Sequence, residues 1–160
     1  MTPSPAQQPS STDRIQKEVV LQAPRSRVWR ALTDSKEFGA WFRIEFREPF
    51  RAGKSISGHI TYPGYEHIVG TFEIETIEPE TRFTYRWHPY AVDPKVDYSK
   101  EERTLVEFRL EETKGRTLLK VVESGFDAIP AARRATAFKM NDGGWAIQVQ
   151  NIAEYLRSRA

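Results

Sequence analysis

The 160-residue sequence contains no cysteine. Disulfides, thiol nucleophiles and cysteine-ligated metals are therefore excluded. Long apolar runs are missing too: none approaches the ~20 residues that cross a bilayer, so no membrane helix is expected. Neither sign of charge dominates, with 24 Lys and Arg against 22 Asp and Glu and a net charge of +2. The charges alternate along strand-like stretches instead of gathering in a block, which leaves no nucleic-acid footprint. Histidine is scarce, and no two of His59, His67 and His88 share a metal-ligand spacing, so no metal site is expected. A Gly-rich phosphate loop is absent, and Ser124-Gly125 lacks the Gly-x-Ser-x-Gly elbow of hydrolases. No cofactor is expected.

What remains has the composition of a globular protein, 39% hydrophobic and 29% charged, at a length suited to one core. Residues 1–13 are rich in Pro, Ser, Thr and Gln and have neither a basic start nor an apolar run. They read as a flexible tail and not a secretion signal, and residues 14–160 as a single domain, with a cytoplasmic location expected by default.

The last thirty residues, from Ala131, carry the clearest helical signal. Trp145, Val149, Ile152 and Leu156 recur at steps of four, three and four, one apolar stripe on a 3.6-residue period. Gln148, Gln150, Asn151, Glu154, Arg157 and Arg159 fill the rest of the surface, so one side should lie on a sheet. Gly143-Gly144 predicts a kink, or a late helix start near Asn141.

Upstream, the chain alternates. Arg14 to Gln22 reads as a strand, Pro24 opens a helix through Val28, Ala31 and Leu32, and Asp34 or Ser35 caps a second short helix that Gly39 closes. Six further strands are expected: Trp41 to Phe46, Lys54 to Tyr62, Glu66 to Ile77, Arg82 to Trp87, Thr104 to Glu112 and Thr117 to Glu123. The fifteen residues from His88 to Glu102 break this rhythm, a length at which connections tend to be functional, although a solvated loop is the plainer reading. A long helix after an antiparallel meander must lie across one face of it, giving an α+β fold.

The run Val19-Val20-Leu21-Gln22-Ala23-Pro24-Arg25-Ser26-Arg27-Val28-Trp29-Arg30-Ala31-Leu32-Thr33-Asp34, then Trp41-Phe42, resembles the opening of START-related helix-grip (SRPBCC) proteins. Glu123-Ser124-Gly125-Phe126 and the stretch from Gly144-Trp145 to Tyr155-Leu156 are similar to one branch of them. That branch is named for the C-terminal domain of the co-chaperone that activates the ninety-kilodalton heat-shock-protein ATPase. The resemblance implies a curved antiparallel sheet of six to seven strands around the C-terminal helix, two short helices after the first strand, and a pocket between sheet and helix. In many relatives that pocket takes a hydrophobic small molecule, while others are cyclases or interact with chaperones. Related sequences often carry His where this chain has Glu123.

Three readings follow. In the first, Trp41, Phe72, Phe83, Tyr85, Trp87, Phe108 and Trp145 line a pocket for an apolar or aromatic molecule, with ordinary core packing as the plain alternative. The second is a protein-interaction module engaging a chaperone or another protein. The third is a cyclase- or hydrolase-like enzyme with Glu123 and His88 as acid and base. A carboxylate on the face of Leu119 and Val121 must find a partner or take up a proton; the favoured expectation is a rim ion pair with Arg86 or Arg133.

Overall fold

The computed structural model describes residues 12–158, so most of the expected tail lies outside the described residues. The elements run β1 (Arg14–Leu21), α1 (Arg25–Thr33), α2 (Ser35–Phe42), β2 (Ile44–Phe46), β3 (Ser55–Ile60), β4 (Val69–Glu78), β5 (Arg82–Trp87), β6 (Thr104–Thr113), β7 (Arg116–Ser124) and α3 (Ala131–Ser158). All seven strands join one antiparallel sheet in the order β1-β7-β6-β5-β4-β3-β2. This curved sheet, the helix pair after its first strand and the long closing helix make the helix-grip α+β fold.

Local chemistry explains the helix pair. Asp34 accepts from the backbone N–H of Lys36 at 2.9 Å and of Glu37 at 3.1 Å, capping α2. The Trp41 indole then donates to the Ala31 carbonyl at 2.8 Å, fixing α2 against α1. Two expectations need correction. Trp41 belongs to α2 and not to a strand, and Gly39 lies inside α2, which ends on Arg43 in the left-handed region at φ 71°. Gly39 answers a steric demand from the next strand: a Cβ there would sit 2.2 Å from the Ile44 carbonyl oxygen.

The core is aromatic. Phe38 is buried among Trp41, Phe42, Phe50 and Phe72, with ring centroids 4.7 to 5.8 Å away. Phe72 stacks on Tyr85 at 4.2 Å. The expected stripe of α3 faces this core, with Trp145, Ile152 and Leu156 buried and Val149 packed at their edge. The helix runs from Ala131 through Gly143-Gly144 without interruption, so it does not start late near Asn141. A Cβ at either glycine would meet nothing within 4 Å, so neither serves a close approach to the sheet.

Candidate functional site

Between the sheet and α3 lies a cavity of about 760 Å³. Phe42 and Ile44 supply one wall, Ile60 and Phe72 the sheet floor, and Trp87 and His88 the end of β5. The connection between β5 and β6 borders it with Tyr90, Val92 and Tyr98, and α3 contributes Asn141, Gln148 and Asn151. Those three amides stand at steps of seven and three, on one helical face. The long connection is thus part of the site and not merely solvated. Arg133 holds it there: its guanidinium donates to Glu101 Oε1 at 2.7 Å and the Pro89 carbonyl at 2.8 Å, and lies 4.7 Å from the Tyr98 ring centre.

Of the seven aromatics expected at a pocket, Phe72 and Trp87 are on the lining, and so is His88. Trp41, Phe83, Tyr85, Phe108 and Trp145 are instead packed into the core at 3% exposure or less. Strand alternation put Phe83, Tyr85 and Phe108 on the correct face of the sheet, but the helix pair covers that part of it, with Phe38 of α2 packed against Tyr85 and Phe108. Gln148 and Asn151, read from sequence as solvent-facing, line the cavity. Residue type alone did not single them out, since Gln150, an amide on the same polar surface, is exposed and off the lining.

Glu123 overturns the rim expectation. It is fully buried, and none of its hydrogen bonds comes from a basic side chain. Arg86 pairs with Glu75 at 2.7 Å, and Arg133 with Glu101. The carboxylate is held by neutral donors. Trp87 Nε1 donates to Oε2 at 2.6 Å and Thr104 Oγ1 at 2.5 Å, while Trp145 Nε1 donates to Oε1 at 2.8 Å and Asn141 Nδ2 at 2.9 Å. Burial pushes its pKa above the usual 4.5, outweighing the four donors that favour the charged form. The carboxylate therefore sits one layer behind the lining, gripping two residues of it, Trp87 and Asn141. Tyr85 lies in its field, with a buried hydroxyl that has no hydrogen-bond partner among the described residues.

His88 is fixed differently. Its Nε2 lies 3.1 Å from the Glu101 carbonyl, which can only accept, so Nε2 carries the proton. Burial, assisted by Arg103 and Arg133, lowers its pKa, favouring the neutral ring. Glu123 and His88 are not hydrogen-bonded to each other. Among the described residues no group of three or more His, Asp or Glu side chains is placed to hold a metal, and no helix is long and apolar enough to cross a membrane.

Residues 22–157 match the family described as Activator of Hsp90 ATPase homolog 1-like protein. The chain belongs to this family. Several solved structures superpose over most of its length. The MLL2253 protein of Mesorhizobium loti is 24% identical, with a TM-score of 0.71 over 92% of this chain and 98% of its own. The Aha1 dimer of Colwellia psychrerythraea is 15% identical, with a TM-score of 0.66 over 89% of this chain and 95% of its own. DynU16, a protein of the dynemicin biosynthetic locus, is 25% identical, with a TM-score of 0.70 over 91% of this chain. The match spans only 47% of DynU16. Among curated proteins nothing matches.

Proposed function

We propose that this helix-grip domain, beginning near residue 14, binds a small hydrophobic or aromatic molecule between its sheet and α3. The observation that carries the reading is the cavity of about 760 Å³, within the size range of sites for small organic ligands. Its walls are largely apolar and aromatic, with a few amides and one histidine to set orientation. Burial of an aromatic ligand against Phe42, Phe72 and Trp87 supplies the driving force. Likeness to a protein from a biosynthetic locus supports a small-molecule role.

Gly70 offers the test. It lines the cavity, and a Cβ there meets only ordinary contacts, Ile44 Cδ1 at 3.5 Å and Phe72 Cε1 at 3.7 Å. Gly70→Leu should keep the fold and place a branched side chain beside Phe72, in the way of a ring lying on the sheet floor. A panel of bicyclic and tricyclic aromatics should raise Tm and change the tryptophan emission of the parent protein, and do neither in the variant. Equal responses in both proteins, or none in the parent, would overturn the proposal.

The interaction-module reading needs an exposed apolar patch away from the cavity. Four of the exposed large apolar side chains, Tyr62, Tyr65, Val69 and Ile147, belong to the cavity lining instead. The others, Val20, Val96 and Met140, lie on three different segments. The small-molecule reading is therefore ranked ahead of it. An enzyme using Glu123 and His88 together is supported less, because Trp87 and Asn141 stand between the carboxylate and the cavity.

A further inference from the structure

Arg43 stands where glycine is the ordinary choice. It ends α2 in the left-handed region at φ 71°, a conformation that a residue without a Cβ adopts freely. An arginine there gives up backbone ease and gains a side chain. That side chain lies on the cavity wall.

Its guanidinium is uncommitted. Arg27 and Arg30 of α1 both pair with Glu37, and Arg133 pairs with Glu101, but no Asp or Glu pairs with Arg43 among the described residues. Glu45, two residues on, faces His59 at 3.5 Å. The wall itself carries no carboxylate. Glu66, Asp93 and Asp97 of the flanking loops are exposed and off the lining, and Glu123 sits behind Trp87 and Asn141 with both oxygens hydrogen-bonded. Burial favours the neutral ring of His88, so the lining presents one charge, and it is positive.

The surroundings of Arg43 join donors to an aromatic surface. Gln148 Nε2 donates to the Phe42 carbonyl, which belongs to the peptide leading into Arg43, and Asn151 Nδ2 donates to Gln148 Oε1. Each of these amides keeps a second N–H. Phe42, at the other end of that peptide, has its ring 6.1 Å from Phe72 and 6.0 Å from Trp87.

We infer that the ligand of this cavity is an aromatic carboxylic acid, its rings on Phe42, Phe72 and Trp87 and its carboxylate paired with the Arg43 guanidinium. The inference rests on the proposed binding role and adds the ligand's charge to it. A guanidinium meets a carboxylate with two parallel N–H bonds, and the spare amide N–H groups add to the same sign. A phosphate ester would bring nearly two negative charges, which a single cation does not balance.

Calorimetric titration of the full chain at pH 7 with 2-naphthylacetate, 2-naphthylacetamide, 2-naphthylmethylamine and 2-naphthyl phosphate tests this, since the four share a ring system and differ in charge. Arg43 is exposed, so water screens the pair; the carboxylate should bind about fivefold tighter than the amide, with the amine weakest. The gap should narrow as NaCl rises from about 0.02 M to about 0.5 M. Arg43→Gln should bring the carboxylate-to-amide ratio to one without weakening the amide. Arg43→Gly, which relaxes the left-handed turn, should do the same in a protein at least as stable as the parent. If carboxylate and amide bind within a factor of two of each other, or the preference survives in Arg43→Gln, the cavity reading stands and this inference falls. If the amine or the phosphate binds tightest, the charge is wrong. If none of the four binds, the cavity reading falls and takes the inference with it.

Discussion

At the scale of single residues, Glu123 is the most consequential side chain. Its two oxygens are approached by different indoles, Trp145 at Oε1 and Trp87 at Oε2. A glutamine has one acceptor oxygen and one donor nitrogen, so Glu123→Gln must leave one buried indole N–H facing an N–H group. A loss of about 1–3 kcal/mol is expected, the cost of one unsatisfied buried donor, read from urea unfolding. The size of the loss should depend on pH. The folded-state pKa of Glu123 lies above the usual 4.5, so folding favours its protonated form. Its contribution is fully present below about pH 4.5 and declines as pH rises through the raised folded value. The variant has no such term, so the gap between the two proteins should be widest in acid and narrow toward neutrality. A gap that widened with pH would mean that the donors outweigh desolvation. Tyr85 makes the opposite case: its buried hydroxyl has no partner among the described residues. Tyr85→Phe removes that unpaired group and keeps the 4.2 Å stack on Phe72, so a gain of about 1 kcal/mol is expected in the same assay. A loss would show that the hydroxyl is satisfied, for example by water.

At the scale of elements, α3 shows which sequence signals were reliable. Its stripe from Trp145 to Leu156 was legible because helical periodicity is a local property, and Trp145, Ile152 and Leu156 are buried as that period requires. The strands were legible for the same reason, Arg82–Trp87 to the residue. The glycine pair misled as a sign of a late helix start, because low helix propensity is a weak preference that packing of the flanking turns overrides. Gly143 and Gly144 sit inside α3 with open space where a Cβ would go, and neither has a positive φ. Replacing both with alanine should therefore stabilise the protein by roughly 0.5–1 kcal/mol per site, about 2–4 °C in Tm for each kcal/mol at this chain length. A fall in Tm would mean that the helix bends at this point in a state the folded protein must visit. Gly39 failed as a stop signal for a different reason. Its role is set by Ile44, five residues away and in another element, and no local rule contains that contact.

At the scale of the whole molecule, α3 is fastened along its length by polar groups from segments distant in sequence. Near its start Arg133 binds the connection between β5 and β6 through Glu101 and Pro89. In its middle Asn141 and Trp145 grip Glu123 of β7. Near its end Tyr155 donates to Glu37 at 2.8 Å, and Glu37 also pairs with Arg27 of α1 at 2.8 Å. These separations, 18 to 118 residues, explain why the fold could be read from the sequence and the site could not. Periodicity reports which face of an element is buried, but not which distant partner meets it; hence Glu123 was expected beside an arginine and is found among indoles. The first fastening is the one that bears on the proposed binding role, since the segment it holds carries Tyr90, Val92 and Tyr98 of the cavity wall. Arg133→Met keeps the aliphatic stem but removes the Glu101 pair, both carbonyl contacts and the stacking on Tyr98. Amide hydrogen exchange over residues 88–103 should then accelerate by about tenfold or more, and aromatic ligands should dissociate faster, while the loss in Tm stays within a few degrees because the apolar core is untouched. Arg133→Lys should restore only part of the protection, because an ammonium lacks the planar fork that serves Glu101 and Pro89 together. Unchanged exchange in the methionine variant would show that the segment is held by its own packing and that Arg133 does not control access to the cavity.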